Sequence, residues 1–289
     1  MLRYTPTPTV EITDPIVEKA GVRLLIKRED LNHPLVSGNK WWKLKYNLAE
    51  AQTQNKKTLL TFGGAYSNHI YATAAGAAEL GFKSIGIIRG EETLPLNSTL
   101  SFAKQQGMSL HYVSRELYRT KTSSQFIDAL EQRFGDFYLI PEGGTNALAV
   151  KGAAEFAQTL NTDFDYLCCP IGTGGTLAGL INGLPKKKVI GFSVLKGGEF
   201  LVDDIRALTT VNGNWNVVSD YHFGGYAKTN SALEQFIRTY EANHAIPLDQ
   251  VYTGKMMAGI YDLIQKGHFV KGNTILAIHT GGLQGKSVF

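Results

Sequence analysis

Short apolar runs alternate along the chain with longer segments whose apolar residues recur every three or four positions. The short runs are rich in β-branched and aromatic residues and end at glycine, proline or a charge, which predicts strands at 22–26, 58–62, 84–88, 110–113, 137–140, 166–169, 189–194 and 274–278. The longer segments predict helices at 41–52, 68–80, 97–106, 123–134, 148–160, 177–184, 231–242 and 254–266. This alternation predicts the α/β class, with mostly parallel sheets covered by helices on both faces.

Glycine is concentrated in five turns, at 63–64, 143–144, 172–175, 224–225 and 281–282, and four of them follow predicted strands. Ligands of open α/β sheets bind outside the carboxyl ends of the strands. The turns therefore predict one shared cleft, although a strand-to-helix turn also uses glycine without any ligand.

Composition supports a globular protein and excludes some classes. The residues are 43% hydrophobic and 19% charged, a composition that excludes disorder. A length of 289 residues is enough for two domains. The net charge of +4 is small and evenly spread, so it gives no indication of nucleic-acid binding.

The two cysteines and the hydropathy pattern bear on location. Cys168 and Cys169 are adjacent in a predicted strand, where neighbouring side chains point to opposite faces, so we expect no disulfide and a reducing compartment. No apolar run is long enough for a membrane span or a signal peptide. We therefore predict a cytoplasmic protein.

A glycine loop joins a predicted strand to a predicted helix, and it consists of Gly172, Thr173, Gly174, Gly175 and Thr176. Glycines allow successive backbone N–H groups to converge at a helix N-terminus, which suits a phosphate. The loop lacks the lysine of a P-loop, and its spacing does not fit a dinucleotide, because a leucine follows it where the third glycine would stand. It therefore predicts a site for one phosphate monoester; a tight turn without a ligand is the alternative.

Lys40 begins a predicted helix, after Ser37, Gly38 and Asn39. A charged lysine is disfavoured near a helix N-terminus, so this position should lower its pKa, as a Schiff-base lysine requires. The alternative is a surface lysine whose stem lies along a neighbouring tryptophan.

Another candidate site is the start of the predicted alanine-rich helix, at Ser67, Asn68 and His69. Ser67 or Asn68 suits an N-cap, and the same helix N-terminus could hold a carboxylate. His69 has no second histidine or cysteine at metal-ligand spacing, so we predict no metal site.

Six motifs in order resemble the 1-aminocyclopropane-1-carboxylate deaminase and D-cysteine desulfhydrase family, from about residue 5 to the C-terminus. They are Lys27-Arg28-Glu29-Asp30, Ser37-Gly38-Asn39-Lys40, Gly63-Gly64-Ala65-Tyr66-Ser67-Asn68-His69, the glycine loop, Val251-Tyr252-Thr253-Gly254-Lys255 and His279-Thr280-Gly281-Gly282. The resemblance implies pyridoxal 5′-phosphate as cofactor and the tryptophan synthase β-like fold, called fold type II.

The resemblance also implies a role for each motif. Lys40 resembles the lysine that forms a Schiff base with the cofactor, and the glycine loop resembles the site of its phosphate. Asn68 resembles the partner of the pyridoxal 3-oxygen, and Thr280 the hydroxyl facing the pyridine nitrogen. Ser67 and His69, with Asn68, are similar in place to residues on the substrate-carboxylate side, and Ser67 is a candidate acid or base.

Two tyrosines resemble active-site residues near the substrate, namely Tyr252 and Tyr226, which the sequence alone would put in an exposed loop. The family architecture implies two three-layer α/β domains. Residues 1–45 and 146–289 would form the large cofactor-binding domain, and residues 46–145 a small inserted domain. The resemblance further implies a homodimer.

The pattern favours one reaction over another. In the deaminases a glutamate follows the active-site tyrosine and a leucine takes the place of Thr280, whereas Thr253 and Thr280 stand here. A neutral hydroxyl near the pyridine nitrogen gives a weaker electron sink, which suits β-elimination of thiolate from D-cysteine better than opening of a cyclopropane ring.

Two alternatives stay open, cyclopropane-ring opening and a non-catalytic protein that binds the cofactor or a phosphate ligand. Leu283-Gln284-Gly285 stands where the family usually has Pro-Ala after the glycines, which predicts a different substrate range.

Overall fold

The computed structural model describes residues 1–286. Ten strands lie in this part of the chain: β1 Thr9–Ile12, β2 Arg23–Lys27, β3 Thr58–Gly63, β4 Lys83–Arg89, β5 Met108–Val113, β6 Tyr138–Ile140, β7 Tyr166–Ile171, β8 Lys188–Ser193, β9 Trp215–Val218 and β10 Thr274–Ile278. The helices of the same part are α1 Pro15–Ala20, α2 Asn39–Thr53, α3 Asn68–Leu80, α4 Ser98–Gln105, α5 Arg115–Arg119, α6 Ser124–Phe134, α7 Ala147–Gln158, α8 Gly175–Gly183, α9 Leu201–Leu208, α10 Ser231–His244 and α11 Thr253–Gln265.

The strands form two sheets. The first has six strands in the order β1-β2-β10-β7-β8-β9, and the second has four in the order β5-β4-β3-β6. Every pairing is parallel except that of β1 with β2. The central strand β10 is buried along its whole length, as expected of a parallel sheet covered by helices. The predicted α/β class with mostly parallel sheets is confirmed.

All of the predicted strands and helices are present, but five short elements were not predicted. Two are the edge strands β1 and β9, which have four residues each and are only partly buried. The others are α1, α5 and α9, which have five to eight residues. Segments of this length hold too few turns or alternations for a hydrophobic period to show.

The predicted domain boundary at residue 46 falls inside α2, which continues from Asn39 to Thr53. The second sheet lies within residues 58–140, in the segment that was assigned to the inserted domain. The division into two domains stays a prediction.

Cys168 and Cys169 are buried free thiols on β7, as their adjacency predicted. Within residues 1–286, none of the helices combines the length and the apolar character needed to cross a bilayer.

Candidate active site

A cavity of about 500 Å³ lies where loops from the carboxyl ends of both sheets meet. Its lining includes nearly all of the predicted site residues, namely Lys40, Ser67, Asn68, His69, Gly172, Thr173, Gly174, Thr176, Tyr226, Tyr252 and Thr280. Gly175, the remaining glycine of the loop, is not in the lining; it is the first residue of α8. Since Gly64 and Gly143 also line the cavity, the shared cleft predicted from the glycine turns is confirmed for these turns.

Gly38 brings together two motifs that are far apart in the sequence. Its φ is +69°, and a Cβ built on it would lie 1.9 Å from the backbone oxygen of Thr280. The neighbouring Asn39 N–H donates to that same oxygen at 3.2 Å. Only glycine permits this close approach, which places Lys40 beside Thr280.

A buried carboxylate fixes the position of Gly38. Glu29 is 1% exposed and accepts hydrogen bonds from Trp42 Nε1 at 2.7 Å and Asn32 Nδ2 at 3.0 Å. Asn32 in turn binds both the N–H and the oxygen of Gly38, at 2.9 and 3.0 Å. Glu29, and with it the motif Lys27-Arg28-Glu29-Asp30, therefore stabilises the start of α2.

Lys40 projects into the cavity from the first turn of α2. Burial lowers the pKa of its amine to about 8, so roughly a tenth of the amine is neutral at pH 7, far more than for an ordinary lysine. The sequence predicted this direction but gave the helix N-terminus as its cause, whereas burial is the largest cause. Asn39 links the lysine to the glycine loop, because its Oδ1 lies 3.4 Å from Lys40 Nζ and its Nδ2 donates to Thr176 Oγ1 at 2.8 Å.

The glycine loop leaves the N-terminus of α8 open. Gly174 is in the left-handed region at φ +74°, and no side chain caps the helix. The N–H groups of the first helical turn can therefore bind an external anion. A Cβ on Gly175 would lie 2.7 Å from Thr145 Cγ2, so the loop and the Thr145 segment approach closely only because of glycine.

Lys43 also lines the cavity, although the sequence did not predict it as a site residue. It lies three residues after Lys40, on the same face of α2, and is 1% exposed. Its Nζ donates to Thr145 Oγ1 at 2.8 Å, and Thr145 Oγ1 lies 2.7 Å from Thr173 Oγ1 in the glycine loop. Burial, followed by the neighbouring Lys40, holds the pKa of Lys43 well below its usual value. The i+3 spacing from Lys40 was the only signal in the sequence.

Ser67 caps α3, as predicted. Its Oγ accepts from the backbone N–H groups of His69 and Ile70, at 3.2 and 3.3 Å. The hydroxyl hydrogen is left to donate towards the cavity. The next residue, Asn68, accepts a hydrogen bond on its Oδ1 from Gln284 Nε2 at 2.5 Å.

The His69 ring is buried and neutral. Its Nε2 lies 2.8 Å from Thr61 Oγ1, whose own hydrogen is donated to the oxygen of Ile140. Nε2 must therefore carry the ring proton, and Nδ1 is an acceptor with no partner among the described residues. Burial, Lys40 and Lys43 keep the pKa of His69 well below its usual value. The side chain is thus unable to offer a positive charge to a carboxylate.

Tyr226 and Tyr252 pack edge to face, with ring centroids 6.2 Å apart. Tyr226 is half-buried and lines the cavity, so the expectation of an exposed loop was wrong. Its loop is held by Lys255, whose Nζ donates to the oxygens of His222 and Gly225 at 2.7 Å each. Burial raises the pKa of both tyrosines, so both keep their protons at neutral pH.

The two threonines that favoured β-elimination lie in different surroundings. Thr253 is fully buried, and its Oγ1 donates to Asp249 Oδ1 at 2.7 Å, so it serves to begin α11. Thr280 lines the cavity. The hydroxyl available at this end of the cavity is therefore that of Thr280.

A family model, curated relatives and a solved structure all indicate the same family of enzymes. A family model described as pyridoxal-phosphate dependent enzyme matches residues 1–281. The mitochondrial bifunctional D-cysteine desulfhydrase/1-aminocyclopropane-1-carboxylate deaminase of Arabidopsis thaliana is 32% identical, over 98% of this chain and 78% of that protein. The D-cysteine desulfhydrase of Klebsiella pneumoniae is 30% identical, over 96% of this chain and 92% of its own. A crystal structure of an ACC deaminase homologue superposes with a TM-score of 0.87 at 30% identity, covering 99% and 92% of the two chains.

Proposed function

The chain belongs to the pyridoxal-phosphate dependent enzymes, and we propose that it is a lyase that converts D-cysteine and water to pyruvate, ammonia and hydrogen sulfide. One observation carries this proposal. The amine of Lys40, whose pKa is lowered, lines the same cavity as the glycine loop at the uncapped N-terminus of α8. When bound, pyridoxal 5′-phosphate supplies an electron sink that stabilises negative charge at the α carbon of an amino acid.

The residues of the cavity fit this cofactor. We assign its phosphate to the glycine loop and to Lys43, and its covalent attachment to Lys40. Lys43 is an almost fully buried amine with no acidic partner among the described residues, so its charged form is disfavoured until an anion lies beside it. A phosphate at the open N-terminus of α8 would be that anion. We assign Asn68 to the 3-oxygen and Thr280 to the pyridine nitrogen.

Proton transfers are assigned to two groups, and binding of the substrate carboxylate to a third. The amine of Lys40 would remove the α-proton of the substrate, a role for which a pKa of about 8 is well matched to neutral pH. Tyr252 donates a proton to the leaving sulfur, with Tyr226 packed against it. Ser67 donates its free hydroxyl hydrogen to the substrate carboxylate. The N-terminus of α3, which begins with Asn68 and His69, binds the same carboxylate.

The choice of D-cysteine rests on Thr280. A neutral hydroxyl at the pyridine nitrogen gives a weaker electron sink than a carboxylate, and thiolate is a good leaving group that needs less activation. Opening of 1-aminocyclopropane-1-carboxylate to 2-oxobutanoate and ammonia is the second candidate, because the Arabidopsis relative is named for both activities. A non-catalytic binding protein is disfavoured, since Lys40 lines the cavity with its pKa lowered.

Assays of the purified, cofactor-loaded protein test the proposal. D-cysteine, L-cysteine and 1-aminocyclopropane-1-carboxylate are offered separately, and pyruvate, 2-oxobutanoate and sulfide are measured. We expect pyruvate and sulfide from D-cysteine, a loss of at least about 1000-fold in Lys40→Ala, and no loss in Lys45→Ala. Lys45 is the matched control because it lies on the same helix but outside the cavity, paired with Glu155 at 2.7 Å. No keto acid from any of the three substrates would overturn the proposal.

A homodimer and a cytoplasmic location complete the proposal. The homodimer is tested by light scattering of the purified protein, where a mass near twice 31.7 kDa is expected. A mass of one chain would contradict it.

A further inference from the structure

Arg89 occupies the edge of the cavity on the side formed by the second sheet. It is the last residue of β4, exposed, and part of the cavity lining. Its guanidinium carbon lies 5.7 Å from the centroid of the buried Tyr118 ring, an arrangement that holds the charge in place. Its Nη2 lies beside Gly64, where a Cβ would be 3.5 Å away. The charge is thus next to the loop that leads into α3.

Within residues 1–286, the side chain of Arg89 makes neither an ion pair nor a hydrogen bond, whereas Arg23, Arg28 and Arg206 each have a carboxylate partner.

The carboxylate bound to Tyr118, the ring against which Arg89 packs, is already engaged. Glu142 accepts a hydrogen bond from Tyr118 Oη at 2.8 Å and pairs with Lys121 Nζ at 3.2 Å. With Glu142 neutralised by Lys121, the charge of Arg89 remains as an excess positive charge at this edge of the cavity.

A simple amino acid leaves Arg89 unused. The α-carboxylate of a substrate is served by the N-terminus of α3 and the free hydrogen of Ser67. D-cysteine carries no second oxyanion, because its side chain ends in a thiol. A planar guanidinium in the lining suits a second oxyanion, since its fork of N–H groups matches carboxylate, sulfonate and phosphate.

We propose that Arg89 binds an oxyanion on the substrate side chain, so that the site prefers amino acids whose side chain carries a carboxylate, sulfonate or phosphate. The inference rests on the lyase class of the proposed function and extends its substrates beyond D-cysteine. The same side chain would bind such amino acids whether or not they are turned over. Binding measurements alone can therefore test the inference.

The test is a titration of the cofactor-loaded protein, with the absorption of the bound cofactor as the readout. Both enantiomers of cysteate, aspartate and phosphoserine are compared with alanine, which lacks the second anion. We expect the wild type to bind at least one of the anionic amino acids about 10- to 100-fold more tightly than alanine, the range of one charge-assisted hydrogen bond. The three anions distinguish sulfonate, carboxylate and phosphate.

Three variants complete the design. Arg89→Gln should remove the preference while alanine affinity stays within about twofold, and Arg89→Lys should keep part of it, because it retains the charge but loses the fork. Arg115→Gln is the matched control, since Arg115 is an exposed arginine beside Gly90 that does not line the cavity. Thermal unfolding of each variant checks that it is folded.

Two results would overturn the inference. One is a wild type that binds no anionic amino acid more tightly than alanine. The other is an Arg89→Gln variant that weakens alanine and the anionic amino acids equally, which would assign Arg89 to the α-carboxylate. Pyruvate formation from D-cysteine is measured in parallel, so that turnover without a preference defeats only this inference, and a preference without turnover defeats only the proposed reaction.

Discussion

The two sides of the cavity are built in different ways. On the side of the first sheet, glycines that admit a close neighbour fix the site: Gly38 lies against the backbone of Thr280, and Gly175 lies against the side chain of Thr145. On the side of the second sheet, side chains with unused hydrogen-bond donors surround the cavity, such as Ser67 and Arg89. Gly38 allows no side chain, whereas Arg89 is exposed and can be replaced without a clash.

This difference separates two tasks. A cofactor that is the same in every turnover suits a rigid site in which a shift of a few tenths of an ångström is excluded by backbone contacts. Substrate choice suits side chains that can be exchanged without disturbing the fold. We therefore expect changes on the first side to affect folding and cofactor binding, and changes on the second side to affect which amino acid binds.

The largest effect is expected from Gly38→Ala. The new Cβ would meet the Thr280 backbone oxygen, and the residue would have to keep a φ of +69°. We expect a loss of about 3 kcal/mol or more in the free energy of unfolding, measured in urea, together with loss of bound cofactor. Gly81→Ala is the control, because Gly81 has a φ of +75° but open space around it, and should cost only about 1 kcal/mol. Equal costs for the two variants would contradict the packing argument.

Lys43→Met tests the cofactor side without a backbone clash. The variant should bind pyridoxal 5′-phosphate about 10- to 100-fold more weakly, because one charged partner of the phosphate is lost. The cofactor-free variant should be no less stable than the wild type, since a buried amine with a strongly lowered pKa is replaced by an apolar side chain of similar shape. Equilibrium titration measures the first quantity and urea unfolding the second. Unchanged cofactor affinity would remove Lys43 from the phosphate site.

The pH dependence of Lys40 is a further test on this side. Its pKa of about 8 lies below the usual 10.5, so the reactive neutral amine should increase as pH rises through 8 in the cofactor-free protein. Competitive labelling with an amine-specific reagent, read by mass spectrometry of the Lys40 peptide, should give a midpoint near pH 8. A midpoint near pH 10 would show that the amine is not desolvated.

The smallest effect is expected from Gln284→Ala. The change removes the donor to Asn68 Oδ1 and leaves the Asn68 amide free to rotate. We expect a shift of the cofactor absorption maximum and a cofactor affinity about twofold to tenfold lower, the range of one neutral hydrogen bond. Gln235→Ala, which removes an exposed glutamine bound to Thr239, should change neither. An unaltered spectrum in Gln284→Ala would show that Asn68 is held by other contacts.

The sequence predicted the residues whose role depends on a local pattern. Ser67 and the glycine loop follow from strand-to-helix turns and glycine spacing, whereas Lys40 follows from its place at a helix start together with the family resemblance, and one cavity brings them together. Lys43 and Arg89 could not be predicted in the same way, because their burial or lack of a partner depends on elements far away in the chain. The edge strands β1 and β9 were missed for a related reason, since four partly buried residues give no period to detect.

The central claim is that Lys40 is the amine that binds the cofactor. The most direct measurement is borohydride reduction of the cofactor-loaded protein, followed by proteolysis and mass spectrometry. The account predicts a pyridoxyl-phosphate adduct on the peptide that contains Lys40, and on no other lysine peptide. An adduct on Lys43 or Lys255, or no adduct on any lysine of a protein that retains the cofactor, would contradict it.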